Sequence, residues 1–195
     1  MSKADKLKWD DKYSHSDHQI ENGEASSMLK RYYDRAPGQR ALDVACGTGR
    51  NALFLASQGF QVDALDISPV GLKWLEIAAA KNSGTGQVYT QEVDLEAYSP
   101  AEATYDLIVV TNYLNRPLIP KLVGSLVKRG ILVIDTFMAD TRNEATGRNP
   151  EYLLKKGELP TYFDDGHEIL KYKEFYNGHS RCGMWKQAIA VQKAN

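Results

Sequence analysis

Asp43-Val44-Ala45-Cys46-Gly47-Thr48-Gly49 follows Ala41-Leu42 and runs into Arg50-Asn51-Ala52-Leu53-Phe54-Leu55-Ala56. The pattern reads as a short apolar strand over 41–45, a tight turn, and a helix over 50–58 closed by Gly59. Gly47 and Gly49 take side chains away where backbone has to come close to a ligand. The helix behind them aims free N–H groups and the positive end of its dipole at the turn. In an open α/β sheet the ligand lies beyond the carboxyl ends of the strands, near the place where strand order reverses, so this turn is the expected binding edge.

The same unit repeats outward from it. A strand over 61–65 leads to a helix over 69–81, with Ser68 as its N-cap and Pro69 in the first turn. Strands follow over 87–93 and 105–111. The unbroken Leu107-Ile108-Val109-Val110 run suits burial on both faces of a parallel sheet. A helical face, Leu118, Ile119, Leu122, Val123, Leu126 and Val127, closes at Gly130 before a strand over 131–137. Strands over 169–176 and 184–192 are separated by Asn177-Gly178-His179-Ser180, too short for a crossover helix, so they form an antiparallel hairpin. The expected fold is α/β: a single-domain, Rossmann-like, seven-stranded and mostly parallel sheet with helices on both faces and a C-terminal antiparallel hairpin. A helix within 21–35 precedes it, and a long polar stretch over 138–166, partly helical around 150–156, precedes the hairpin.

Two more carboxylates fall at strand ends. Asp66, after Ala64-Leu65, is placed to accept from a ribose diol. Asp94, after Val93, is placed to accept from an exocyclic amine such as that of adenine, with Leu95 offering a backbone N–H and an apolar surface. Acids at three successive strand ends say more than the glycines do.

Composition narrows the function. The 195 residues fit one domain, and 24 Lys and Arg against 25 Asp and Glu, with no basic run, argue against a nucleic-acid partner. The apolar runs are far shorter than the ~20 residues of a membrane helix, and the polar start and two cysteines, Cys46 and Cys182, suit a reduced, cytoplasmic protein. His15 and His18 share a face if helical, but with no third ligand nearby they read as a solvated pair and no metal site is expected. Cys46 reads as a small buried residue. Oligomeric state is not legible.

Through WDDKY, LDVACGTGRNALFLA, LDIS, VDLE and YDLIVVTNYLNRP, the chain resembles the class I S-adenosylmethionine-dependent methyltransferases, most of all the small tellurite-resistance and thiopurine types. The resemblance implies S-adenosylmethionine as cofactor and methyl transfer to a small molecule by in-line displacement; the acceptor stays open, and the absence of a clear general base fits a thiol, a thiopurine or a metalloid oxyanion. It implies that Asp43, Ala45, Gly47 and Gly49 hold the methionine part, Asp66 the ribose, and Asp94 with Leu95 the adenine. Asn51 and Ile67 complete the cofactor set, and Thr111 to Tyr113 border the methyl group. Ala45 departs from the pattern, standing where many relatives carry glycine; a methyl is small and the turn should survive.

Tyr113, as a packing wall or proton relay, and Arg116, as an anion clamp, are the candidate catalytic residues; a polar loop capping the helix after Pro117 reads equally well. The whole of 1–195 is expected to be one domain, 1–36 a helical N-terminal segment and 37–195 the catalytic core. Trp9 and Tyr13 fit either a lid over the site or a helix packed on the body. Two rivals stay open. Gly47-x-Gly49-x-x-Ala52 with Asp66 downstream also meets the dinucleotide fingerprint of an NAD(P)-dependent oxidoreductase, and a non-catalytic cofactor-binding sensor or partner domain would keep the same acids.

Overall fold

The computed structural model describes residues 3–15, 23–81, 84–141, 149–178 and 183–195. Two helices, α1 (Lys3–Ser14) and α2 (Ser27–Tyr32), precede a repeating core of β1 (Arg40–Val44), α3 (Arg50–Ser57), β2 (Gln61–Asp66), α4 (Pro69–Ala79) and β3 (Gln87–Glu92). β4 (Tyr105–Thr111), α5 (Leu118–Ser125), β5 (Leu126–Phe137), β6 (His167–Asn177) and β7 (Met184–Lys193) complete it. The strands form one seven-stranded sheet in the order β3-β2-β1-β4-β5-β7-β6. β1 to β5 run parallel, and β7 lies antiparallel to both β5 and β6.

The apolar run of β4 divides as burial on two faces requires. Leu107 and Val109 join Leu29, Leu55 and Leu75 on one side of the sheet, while Ile108 and Val110 join Leu118, Leu122 and Leu159 on the other. The chain leaves β1 toward β2 and β3 and returns to β4 on β1's other side, so strand order reverses between β1 and β4. The glycine turn after β1 sits at that point.

Some boundaries differ from expectation. Leu126 and Val127 belong to β5, not to the preceding helix: Leu126 is extended at φ −72, ψ 137 and pairs with Tyr105. An i, i+4 apolar spacing fits a helix and a buried strand start alike, and only pairing decides between them. Gly130 closes no helix. A Cβ there would stand 2.9 Å from the Val127 carbonyl, so close backbone packing beside an irregular register requires the glycine. Of the expected 21–35 helix, the described residues from 23 on hold α2 and a 3-10 turn over Tyr33–Arg35, and the 150–156 helix shortens to a 3-10 turn over Pro150–Tyr152. His18, Cys182 and part of the hairpin turn, His179 and Ser180, lie outside the described residues. No helix among the described residues is long and apolar enough to cross a membrane.

Candidate functional site

The three acids stand at or just beyond the carboxyl ends of β1, β2 and β3, each held differently. Asp43 is fully buried, and its Oδ2 accepts from Ala52 N in the first turn of α3 at 3.0 Å. Its Oδ1 is buried with no hydrogen-bond partner of good geometry among the described residues, although the Asn51 side chain lies near enough to favour the carboxylate. Burial pushes the Asp43 carboxyl up to about 7, against the pull of the Ala52 N–H and the nearby Arg50. A buried oxygen left without a donor is costly, and a cationic donor arriving beside it would recover that cost.

The turn is built on left-handed backbone: Ala45 at φ 56, Gly47 at φ 57 and Gly49 at φ 87. A side chain at Gly49 would run into Leu75, 2.1 Å from its Cδ1, so glycine there lets α4 close on the turn. Asn51 is buried in the first turn of α3 and donates from Nδ2 to Thr111 Oγ1 at 3.0 Å.

Asp66 takes the N–H of Gly47 on one oxygen at 2.8 Å and that of Ser68 on the other at 2.9 Å. It therefore shapes the glycine turn and the start of α4. With the Ile67 N–H also acting on it, the carboxylate still keeps lone-pair capacity to accept from a diol. Burial raises its pKa, the Ser68 and Gly47 N–H groups countering. Ile67, beside it, is buried. Asp94 is exposed and accepts from Glu96 N at 3.0 Å. Leu95 is fully buried in the second core cluster, so its side chain offers no apolar surface to a ligand, and that expectation is corrected.

Tyr113 is half-buried, its hydroxyl 3.4 Å from Asn115 Nδ2, and burial pushes it up to about 12. That favours a packing wall over a proton relay at neutral pH. Arg116 is not an open anion clamp. Its guanidinium meets Glu158 at 2.7 and 3.0 Å and donates to the carbonyls of Glu151 and Leu153 at 2.6 and 2.8 Å, bracing the 151–158 segment. The Cys46 thiol is buried and pushed well above its ordinary pKa by that burial, an inert position.

Three site residues went unread in the sequence. Ser26 N donates to Asn51 Oδ1 at 3.0 Å, Ser26 Oγ donates to Asp135 Oδ2 at 3.1 Å, and Asp135 pairs with Lys186. Thr111, Asn51, Ser26, Asp135 and Lys186 thus form one buried polar chain under the ends of β4, β5 and β7. Asp135 had a signal, being a further acid near a strand end in Ile131-Leu132-Val133-Ile134-Asp135.

α1 also reaches the rim. The Tyr13 hydroxyl lies over Gly47, where a Cβ would be 2.7 Å from it, and its ring lies 3.0 Å from a Cβ placed on Gly71. Ser68 Oγ donates to Asp10, Trp74 Nε1 donates to the Tyr13 carbonyl at 3.3 Å, and Lys6 pairs with Glu92. Trp9 stacks on Tyr13 at 5.9 Å. His15 is exposed beside Asp11.

The family model described as "Tellurite resistance protein TehB" matches residues 4–182. The chain belongs to the TehB family. It is 28% identical over 142 residues to the probable S-adenosyl-L-methionine-dependent methyltransferase TehB of Haemophilus influenzae, covering 69% of this chain and 48% of that protein. It is 30% identical over 151 residues to a ubiquinone biosynthesis O-methyltransferase of Rickettsia typhi, covering 76% and 61%. Hemagglutinin 1 of Eikenella corrodens is 28% identical over 141 residues, covering 69% and 46%. The chain therefore spans about half to three-fifths of the length of these curated relatives.

Among solved structures, a S-adenosylmethionine-dependent methyltransferase of Methanosarcina mazei superposes with TM-score 0.68 at 18% identity, covering 88% of this chain and 99% of that one. TehB of Haemophilus influenzae superposes with TM-score 0.68 at 22% identity, covering 86% and 61%. At these identities the likeness is one of fold. The TehB-family chain shares that fold with a protein named as a [4+2]-cyclase, TM-score 0.63, so the fold alone does not name a reaction.

Proposed function

We propose that this chain binds S-adenosylmethionine along the carboxyl rim of its sheet and transfers the methyl group to a small acceptor. The observation that carries the reading is Asp43: a buried carboxylate with one oxygen lacking a donor of good geometry, facing a glycine turn and a helix start. That donor set fits an amino-acid end, the ammonium taken by Asp43 and the carboxylate by N–H groups at the start of α3. Asp66 accepts from the ribose diol with its remaining lone pairs, and the exposed Asp94 meets the adenine.

The cofactor supplies a methyl group on a sulfonium that departs as a neutral thioether. What is left to the protein is alignment and dryness. Thr111, fixed by Asn51, and the Tyr113 ring border the methyl and position the acceptor against it. Tyr13 and α1 close the ribose side as a lid, keeping water out. With Tyr113 pushed up to about 12 and Arg116 occupied, neither candidate among the described residues serves as a general base, which suits thiols, thiopurines and metalloid oxyanions, acceptors that need little deprotonation. A base in DNA is disfavoured by the balanced surface charge.

Calorimetric titration with S-adenosylhomocysteine and with NADH tests the cofactor. Binding of the first and not the second is expected; NADH binding alone would leave the dinucleotide reading standing. A labelled-methyl assay over small thiols, thiopurines and metalloid oxyanions then separates an enzyme from a sensor, with labelled product expected.

A further inference from the structure

The Asp135–Lys186 pair is not used by the cofactor reading. Lys186 on β7 is 3% exposed, its ammonium held by Asp135 of β5 and lying 5.4 Å from the centre of the Phe137 ring. A pair serving only to tie β5 to β7 is expensive to bury unless its hydrogen bonds are complete. Asp135 holds the Lys186 ammonium with one oxygen and accepts from Ser26 Oγ with the other, so the pair is part of a polar chain and not a simple tie between β5 and β7. Two more cations, Arg50 at the start of α3 and Lys173 on β6, lie near enough for their charge to oppose that of Lys186. The acid facing Lys186 is Asp135, while Arg50 also faces Asp43 on the β1 side, so at this end the cations Lys186 and Lys173 outnumber the one carboxylate.

Position separates this end from the cofactor. Across β3-β2-β1-β4, adenine, ribose and the methionine part are accounted for by Asp94, Asp66 and Asp43. β7 lies three strands from β1, about 14 Å at the usual strand spacing, on the far side of Thr111. What meets Lys186 is therefore on the acceptor's side of the methyl group. Given the cofactor reading above, we propose that Lys186 is the acceptor-binding residue of this site, receiving the anionic group of a small oxyanion or carboxylate, with Asp135 as its positioning residue. An acceptor whose reacting atom is itself anionic or carries a lone pair has no proton to lose, and a poorly hydrated ammonium binds its anionic group more strongly than a solvated one.

The test uses the full chain saturated with S-adenosylhomocysteine, titrated in low-chloride buffer with sodium mercaptoacetate, sodium selenite and uncharged 2-mercaptoethanol while its melting temperature is followed. At least one of the two anions is expected to raise the midpoint saturably, and mercaptoethanol not. Because Lys186→Met alone would strand a buried Asp135, the neutral pair Asp135→Asn/Lys186→Met is used; the anion's affinity should fall about tenfold or more there and stay near wild type in Lys186→Arg. No response of the wild type to either anion, or an equal response in the neutral pair, overturns the proposal. So does a tenfold loss of S-adenosylhomocysteine affinity in the neutral pair, which would hand Lys186 to the cofactor's own carboxylate. A wild type that fails to bind S-adenosylhomocysteine removes the cofactor reading instead, so the two failures are distinct.

Discussion

Ala45 holds its Cβ on left-handed backbone, φ 56, directly after β1. That conformation costs a residue other than glycine about 1–2 kcal/mol. Its methyl is partly buried against the second core cluster, which returns some of the cost. Ala45→Gly relieves the strain while adding unfolded-state entropy, and a net gain of about 0.5–1 kcal/mol is expected. The measurement is a urea unfolding curve whose midpoint rises with unchanged slope; a lower midpoint would mean that the methyl's packing outweighs the strain. At this scale the sequence carried Asp43, Asp66 and the turn, because strand-end acids and paired glycines are local patterns. Ser26 and Lys186 were illegible for the opposite reason. Ser26 meets Asp135 across 109 residues, and Lys186 meets it only because β7 pairs with β5. Arg116 was misjudged likewise, its partner Glu158 lying 42 residues on in a segment with no periodic pattern.

Among the elements, α1 is the one whose docking is least explained by apolar area. Its Leu7 is 62% exposed, and it is held by Tyr13 in the notch over Gly47 and Gly71 together with the Asp10, Trp74 and Lys6 contacts. A helix this short has little stability of its own, so such docking is readily shifted by what lies beneath it. If α1 is a lid, Tyr13→Ala should weaken S-adenosylhomocysteine binding about tenfold and change global stability by less than about 1 kcal/mol, with Tyr13→Phe staying near wild type. Calorimetry and urea unfolding read the two quantities separately, and tighter binding in Tyr13→Ala would make α1 an obstruction instead. The strand and helix repeats of the core were legible because their apolar periods are long and capped, as at Ser68, whose hydroxyl accepts from Gly71 N. The junction of α5 and β5 was not, since Leu122 and Leu126 satisfy a helix stripe until Leu126 is seen paired to Tyr105.

For the whole molecule, the buried acids couple cofactor binding to pH. Asp43 is pushed up to about 7 by burial and Asp66 is raised for the same reason, each above its unfolded value of 3.8. Between those limits the folded protein holds more protons than the unfolded chain. The contribution of these groups to stability is therefore complete below about pH 4 and is lost as pH rises toward 7. An ammonium seated beside Asp43 reverses this for the bound state by favouring the carboxylate. Binding then releases a proton below pH 7, and affinity should climb by up to about tenfold per pH unit between pH 5.5 and 7 before levelling. Ligand at about 100 times its dissociation constant stabilises by about 2.7 kcal/mol, a rise of roughly 5–10 °C for a domain of this size. At fixed ligand concentration, the S-adenosylhomocysteine-induced rise in melting temperature should thus be small at pH 5.5 and several degrees larger at pH 7.5. Asp43→Asn should flatten that profile by removing the titrating group. A wild-type increment that stays constant across this range would mean that the ammonium sits elsewhere, and the fit of Asp43 to the cofactor would fail with it.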